Sequence, residues 1–114
     1  MLTLRRDQVL AWRMGRQHLA EPGTASAVEL ARVLCGVQAQ VQSAAEQAIA
    51  VRQARPRAGE VDMALREDRT LVRCWSVRGT LHLHAADDAA AYGAALARCA
   101  RGSGRACCAG TASP

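Results

Sequence analysis

The 114-residue chain contains no lysine and no phenylalanine, and its aromatic residues are two Trp and one Tyr. Without lysine there is no side-chain amine to form a Schiff base, which leaves the N-terminal amine alone for that chemistry. No apolar run approaches the roughly 18 residues of a membrane span. Near the start, Arg5 and Arg6 are followed by Asp7 and a pattern broken at Trp12-Arg13, not by the apolar stretch of an export signal. The cytosol is therefore the expected compartment. The five Cys form no Cys-x-x-Cys pair, and an odd number without an export signal argues against a disulfide framework. Adjacent Cys107 and Cys108 sit in a tail of Ala, Gly, Ser and Arg, so no metal site is expected there.

Large apolar residues are also scarce. Half of the chain counts as hydrophobic, but 25 of those residues are Ala, and Leu, Ile and Val together number 21. That proportion reaches the level at which disorder becomes a question, yet a net charge of +5 is too small to complete the case. The length fits one domain. Residues 1–84 carry 25 of the Leu, Ile, Val, Met and Trp residues, whereas residues 85–114 carry only Tyr92 and Leu96 as large apolar groups. The core is expected in the first three quarters.

Hydrophobic spacing predicts a first helix over about 6–19, with Val9, Leu10, Trp12 and Met14 on its apolar side and Pro22-Gly23 ending it. Ser26 with Glu29 forms a capping box for a second helix, followed by Leu30, Val33, Leu34 and Val37 at helical spacing. Ser43 with Glu46 reads as a second box, opening a third helix that stops before Pro56. Two capped helices so close together predict a helix-turn-helix. A shorter helix is expected from Glu60 to about Asp68. The period then changes: 71–77 is rich in strand formers, and 80–84 alternates, with Leu81 and Leu83 on one face and Thr80, His82 and His84 on the other. Arg78-Gly79 supplies the turn of a β-hairpin. Helices followed by a hairpin predict an α+β, mostly helical winged helix over residues 1–97. An Ala-rich helix continues from Asp87 through Tyr92 to Leu96. Residues 98–114 have no apolar periodicity and are expected to be a disordered tail.

Three features carry possible chemistry. Nine of the fifteen Arg residues, Arg5, Arg6, Arg13, Arg16, Arg52, Arg55, Arg57, Arg73 and Arg78, can neutralise phosphates along one face, or can simply solvate helix surfaces. In Gln38-Ala39-Gln40, an extended backbone places both amides on one side, free to hold a water or a polar ligand, although glutamines near a helix end commonly cap or are solvated. His82 and His84 could chelate from one strand face, but no third ligand stands at a suitable spacing, so both are expected to be polar residues of the wing.

In combination these segments become recognisable. Cys35-Gly36-Val37-Gln38-Ala39-Gln40-Val41-Gln42-Ser43-Ala44-Ala45-Glu46, Glu67-Asp68-Arg69-Thr70-Leu71-Val72, Trp75-Ser76-Val77-Arg78-Gly79-Thr80-Leu81-His82 and Ala85-Ala86-Asp87-Asp88 resemble the AlkZ-like (YcaQ-like) winged-helix DNA glycosylase family, over residues 1 to about 97. Members of that family excise alkylated purines, including crosslinked ones, from double-stranded DNA. The resemblance implies that Gln38 and Gln40 are a catalytic pair. It also places Arg78, Thr80 and His82 beside the same cleft, with His82 a DNA-contacting residue, while Arg52, Arg55 and Arg73 are expected as DNA contacts from the arginine distribution alone. It implies a monofunctional N-glycosylase with no metal or organic cofactor, working in the cytoplasm on the nucleoid.

A glutamine carbonyl can orient water and face the positive charge of an oxocarbenium-like sugar. An amide is a poor general base, so such a pair suffices only where the leaving base is already cationic, as an N7-alkyl purine is. The absence of lysine agrees with water as the nucleophile. Full-length relatives are several times longer, and the Arg-, Gly-, Cys- and Ala-rich tail resembles translation out of frame in a GC-rich gene. The chain is therefore expected to be an N-terminal fragment. The rival readings are a non-enzymatic DNA-binding module, in which the glutamines are structural, and an inactive truncated gene product.

Overall fold

The capping box at Ser26 forms as expected. In the computed structural model, which describes residues 1–103 with side chains to Cys99, the Ser26 N–H donates to Glu29 Oε2 at 2.7 Å, and Glu29 N–H donates back to Ser26 Oγ at 3.3 Å. Two otherwise unpaired donors are satisfied, and a helix starts at Ala27. Five helices and three strands follow in order: α1 Arg6–Arg16, α2 Ala27–Val33, β1 Val37–Gln38, α3 Gln42–Ala50, α4 Glu60–Arg66, β2 Leu71–Trp75, β3 Leu81–Ala85 and α5 Ala86–Ser103. A short 3-10 turn, Val77–Gly79, joins β2 to β3.

The sheet is antiparallel in the order β1-β3-β2. Three helices with a strand between the first two, then a hairpin whose second strand is central, match the winged-helix arrangement over α2 to β3. Two expectations change here. The helices capped at Ser26 and at Ser43 are not joined by a tight turn, because the chain between them passes through β1, which pairs with β3. The helix-turn-helix position therefore falls to α3 and α4. Nor does Ser43 cap α3: the preceding residue Val41 holds the N-cap position, and Gln42 Nε2 donates to Glu46 Oε1 at 3.0 Å and to Asp62 Oδ1 at 3.4 Å.

The core consists of Ala27, Leu30, Ala31, Val37, Ala39, Ala45, Ile49, Val61, Ala64, Leu71 and Leu83, so small residues let α2, α3 and α4 approach one face of the sheet closely. α1 adds nothing to it. Val9, Leu10, Trp12 and Met14 give α1 its apolar side, but no residue of the helix is buried and Trp12 is 67 % exposed. The core thus occupies a narrower stretch than the apolar distribution suggested. Past residue 85 the chain is helical as far as Ser103, beyond the boundary expected at residue 97; the rest of the expected tail, including Cys107 and Cys108, lies outside the described residues. Among the described residues no helix is long and apolar enough to cross a membrane.

Candidate functional site

The end of α2 aims the glutamine segment. Cys35 takes a left-handed conformation, its N–H donates to Arg32 O at 3.1 Å, and Gly36 N–H donates to Ala31 O at 2.8 Å. These two bonds form a Schellman cap, which ends α2 and turns the chain directly into β1. Val37 and Gln38 then pair with Leu83 and His82, and Ala39 N–H donates to Leu81 O at 2.7 Å. The extended backbone buries Val37 and Ala39 and exposes Gln38 and Gln40.

Both glutamines line an open cleft of about 480 Å³, together with Gln17 after α1, Ala44 and Ala48 along α3, and Arg52 just beyond its end. Gln40 Oε1 accepts from Leu81 N–H at 3.4 Å, a long bond, and among the described residues its amide nitrogen donates to no partner. Among the described residues no hydrogen bond holds the Gln38 side chain. Each amide offers both an acceptor and donors without net charge, so the pair can orient a water or a polar ligand but cannot ionise it.

His82 stands beside Gln38. It is the cross-strand partner of both Gln38 and Cys74, and directly opposed residues project on the same face, so Gln38, His82 and Cys74 make a row across the sheet. His82 Nδ1 lies 3.0 Å from the Thr80 carbonyl oxygen. A carbonyl only accepts, so Nδ1 carries the proton and Nε2 is left as the acceptor of the neutral ring. Thr80 Oγ1 donates to Val77 O at 3.1 Å, which fixes the turn that carries Arg78. Burial pushes the Cys74 thiol up, away from thiolate chemistry.

The expected arginines separate. Arg52 reaches the cleft, but its Nε donates to Gln17 O at 2.9 Å and its Nη1 donates to Ala48 O, so it fastens the end of α1 to α3. Burial lowers its pKa from the ordinary value, and a guanidinium remains protonated all the same. Arg78 is exposed at the hairpin turn. Arg55 is exposed on the connection after α3, and Arg73 pairs with Leu83 in the row that faces the core side of the sheet. Neither is brought to the glutamines.

His84 is not a polar wing residue. It is 1 % exposed, its Nε2 lies 2.7 Å from Ser76 Oγ, and its ring packs against Tyr92 with centroids 4.2 Å apart and planes tilted by 34°. Burial is the main cause that pulls its pKa down, with His82 adding to the shift and Asp88 opposing it. Sequence reasoning missed this cluster and the Arg52 fastening, since both depend on contacts between distant segments. Gly36 was the one available signal, because a Cβ there would stand 2.6 Å from His84 Cε1. No group of three or more His, Cys, Asp or Glu suited to a metal occurs among the described residues.

A winged-helix-type unit with a neutral amide pair exposed in a cleft between its second helix and its sheet is the class this geometry defines. The chain belongs to the family described as DNA glycosylase AlkZ-like, which matches residues 31–113 and so extends beyond residue 97. It is similar to the interstrand DNA cross-link repair glycosylase of Streptomyces sahachiroi, with 46 % identity over 85 residues that make up 75 % of this chain and 23 % of that relative. It is also similar to the solved structure of Streptomyces sahachiroi DNA glycosylase AlkZ, with 39 % identity and a TM-score of 0.77 over 90 % of this chain and 30 % of that one. The chain thus spans less than a third of the length of these relatives.

Proposed function

We propose that this chain is the DNA-binding, glutamine-bearing part of a monofunctional DNA glycosylase that removes cationic N-alkyl purines from duplex DNA. The observation that carries the reading is the projection of Gln38 and Gln40 from one edge of β1 into the same cleft, with His82 beside Gln38. Water held between the two amides attacks the sugar carbon as the bond to the cationic base lengthens, the bond pair goes to the base, and the attacking water releases its surplus proton to solvent once the carbon–oxygen bond has formed. The carbonyl dipoles face the positive charge that develops on the sugar, and the departing purine leaves neutral without needing an acid. His82 Nε2 and Thr80 offer polar contacts to the displaced nucleotide. No cofactor enters the reaction.

Family membership supports this reading, and so does the name of the relative, which acts on cross-linked DNA. The test is release of 7-methylguanine from a duplex under single-turnover conditions. Gln38→Ala and Gln40→Ala are each expected to slow release at least tenfold, roughly the value of one well-placed polar group in a transition state. Unchanged release in both variants overturns the catalytic role. Tight DNA binding with no base release by the parent chain favours instead a non-enzymatic binding module.

A further inference from the structure

Every polar atom of Ser76 is engaged, although the residue stands at the start of the hairpin turn. Its N–H donates to Thr80 O at 3.0 Å, its carbonyl accepts from Gly79 N–H at 3.0 Å, and its Oγ lies 2.7 Å from His84 Nε2. The residue is 2 % exposed. The third bond is the one that regular pairing would not give. Ser76 continues the pairing of Trp75 with Leu81 and so stands opposite Thr80, whereas the partner of His84 is Val72, back along β2. The strand between Val72 and Ser76 spans roughly 13 Å, more than a serine and a histidine side chain reach together. The bond therefore requires the end of the hairpin to curl over the face of the sheet that carries His82 and His84.

The carbonyl that receives Ser76 N–H also receives His82 Nδ1, at 3.0 Å. One chain of contacts thus runs from His84 against Tyr92, through Ser76 and Thr80, to His82 beside Gln38. His82 Nε2 stands at its open end, without a partner among the described residues. The other end is rigid: His84 is 1 % exposed, and a methyl group at Gly36 would already meet its ring. A neutral imidazole can carry its proton on either nitrogen, and the bond made by one nitrogen decides what the other presents. Displacing the Thr80 carbonyl frees the ring to turn or to exchange tautomers.

We propose that Ser76, latched to His84, is a positioning residue for the glutamine site: it holds the Thr80 carbonyl where His82 keeps its proton on Nδ1 and offers a bare Nε2 beside Gln38. Ser76 itself is buried and meets no substrate. Its effect on base release passes through His82 and so rests on the reading of His82 as a contact for the displaced nucleotide. Its effect on the His82 ring does not.

The test is the tautomer of His82 in the 15N-labelled full chain at pH 8, read from long-range 1H–15N correlation spectra, together with single-turnover release of 7-methylguanine. In the parent chain His82 is expected in one form, protonated at Nδ1. Ser76→Ala and His84→Leu, which break the latch from opposite ends, should each turn it into a mixture of the two tautomers. Val61→Ala, a core change in α4, lowers stability without touching the latch and should leave the parent tautomer; circular dichroism melts establish that all the variants are folded. Release at saturating protein should slow about threefold or more in Ser76→Ala, with the half-saturating concentration within twofold. Ser76→Ala combined with His82→Ala should be no slower than His82→Ala alone. A parent His82 protonated at Nε2, a tautomer that neither latch variant changes, or one that Val61→Ala changes as much, overturns the positioning role, and the parent spectrum decides the first of these without any variant. Slowing that adds to that of His82→Ala overturns the route through His82. A parent chain that releases no base overturns the glycosylase reading, and the tautomer still decides whether Ser76 sets the ring.

Discussion

Protonating His84 would place a charge in a pocket shaped for a neutral ring. Ser76, Gly36 and Tyr92 surround the imidazole, and of the charged groups near it Asp88 favours protonation while His82 opposes it. Burial outweighs the carboxylate, so the folded-state pKa lies below the ordinary value of 6.5. The unfolded chain therefore takes up the proton first as pH falls. The contribution of His84 to stability is complete above about pH 6.5 and is lost progressively below it, down to the folded-state value. The denaturation midpoint should drop between pH 7.5 and pH 5.5. In His84→Gln that part of the pH dependence should disappear, although the variant is less stable throughout. Urea denaturation at the two pH values measures both, and a parallel drop in the variant would assign the effect to another group.

At the junction of α2 and β1, one position serves the cap, the strand and the buried histidine together. Gly36 has φ of +112°, a conformation that side chains other than glycine rarely adopt, and an added methyl would meet the His84 ring at 2.6 Å. Gly36→Ala is therefore expected to cost about 2–4 kcal/mol from backbone strain and overpacking, read from urea midpoints at constant slope. Recovery of stability on combining it with His84→Ala would show that the clash, and not only the backbone, carries the cost. The same junction explains what the sequence made legible. Ser26-Glu29 was readable because both partners of the cap are local. Ser43-Glu46 has the same spacing but is not used, because pairing of β1 with a strand more than forty positions away sets where α3 begins. A two-residue strand leaves no periodicity of its own, so the pairing of α2 and α3 was misread while the hairpin, with its alternation, was not. Gln38 and Gln40 were legible as a pair from their two-residue spacing alone. Their cleft was not, since its walls come from the end of α1 and from α3.

For the whole molecule, the separation between core and periphery should be measurable as a difference in local stability. The Cα radius of gyration is 16.1 Å, larger than the roughly 13 Å of a compact 100-residue domain. An α1 that buries no side chain accounts for part of that spread. Helical spacing marked Val9, Leu10, Trp12 and Met14 as candidates for a buried side, but all four are exposed, since spacing does not say whether anything covers a helix. What holds α1 is polar: the Arg52 bond to Gln17 O, and beyond it the backbone bonds of Gly23 N–H to Arg52 O at 3.1 Å and of Ala54 N–H to Gly23 O at 2.9 Å. Such contacts contribute about 1 kcal/mol each, whereas Leu30, Ile49, Leu71 and Leu83, all at most 2 % exposed, tie α2, α3 and the sheet together. Amides of α1 should therefore exchange through local opening at least a hundredfold faster than those of β3, which open only with the whole core. Hydrogen exchange followed by mass spectrometry measures this. Arg52→Gln should accelerate exchange in α1 further and leave β3 unchanged. Protection of α1 equal to that of β3 in the dilute free protein would mean that a neighbour covers the helix, and would remove its separation from the core.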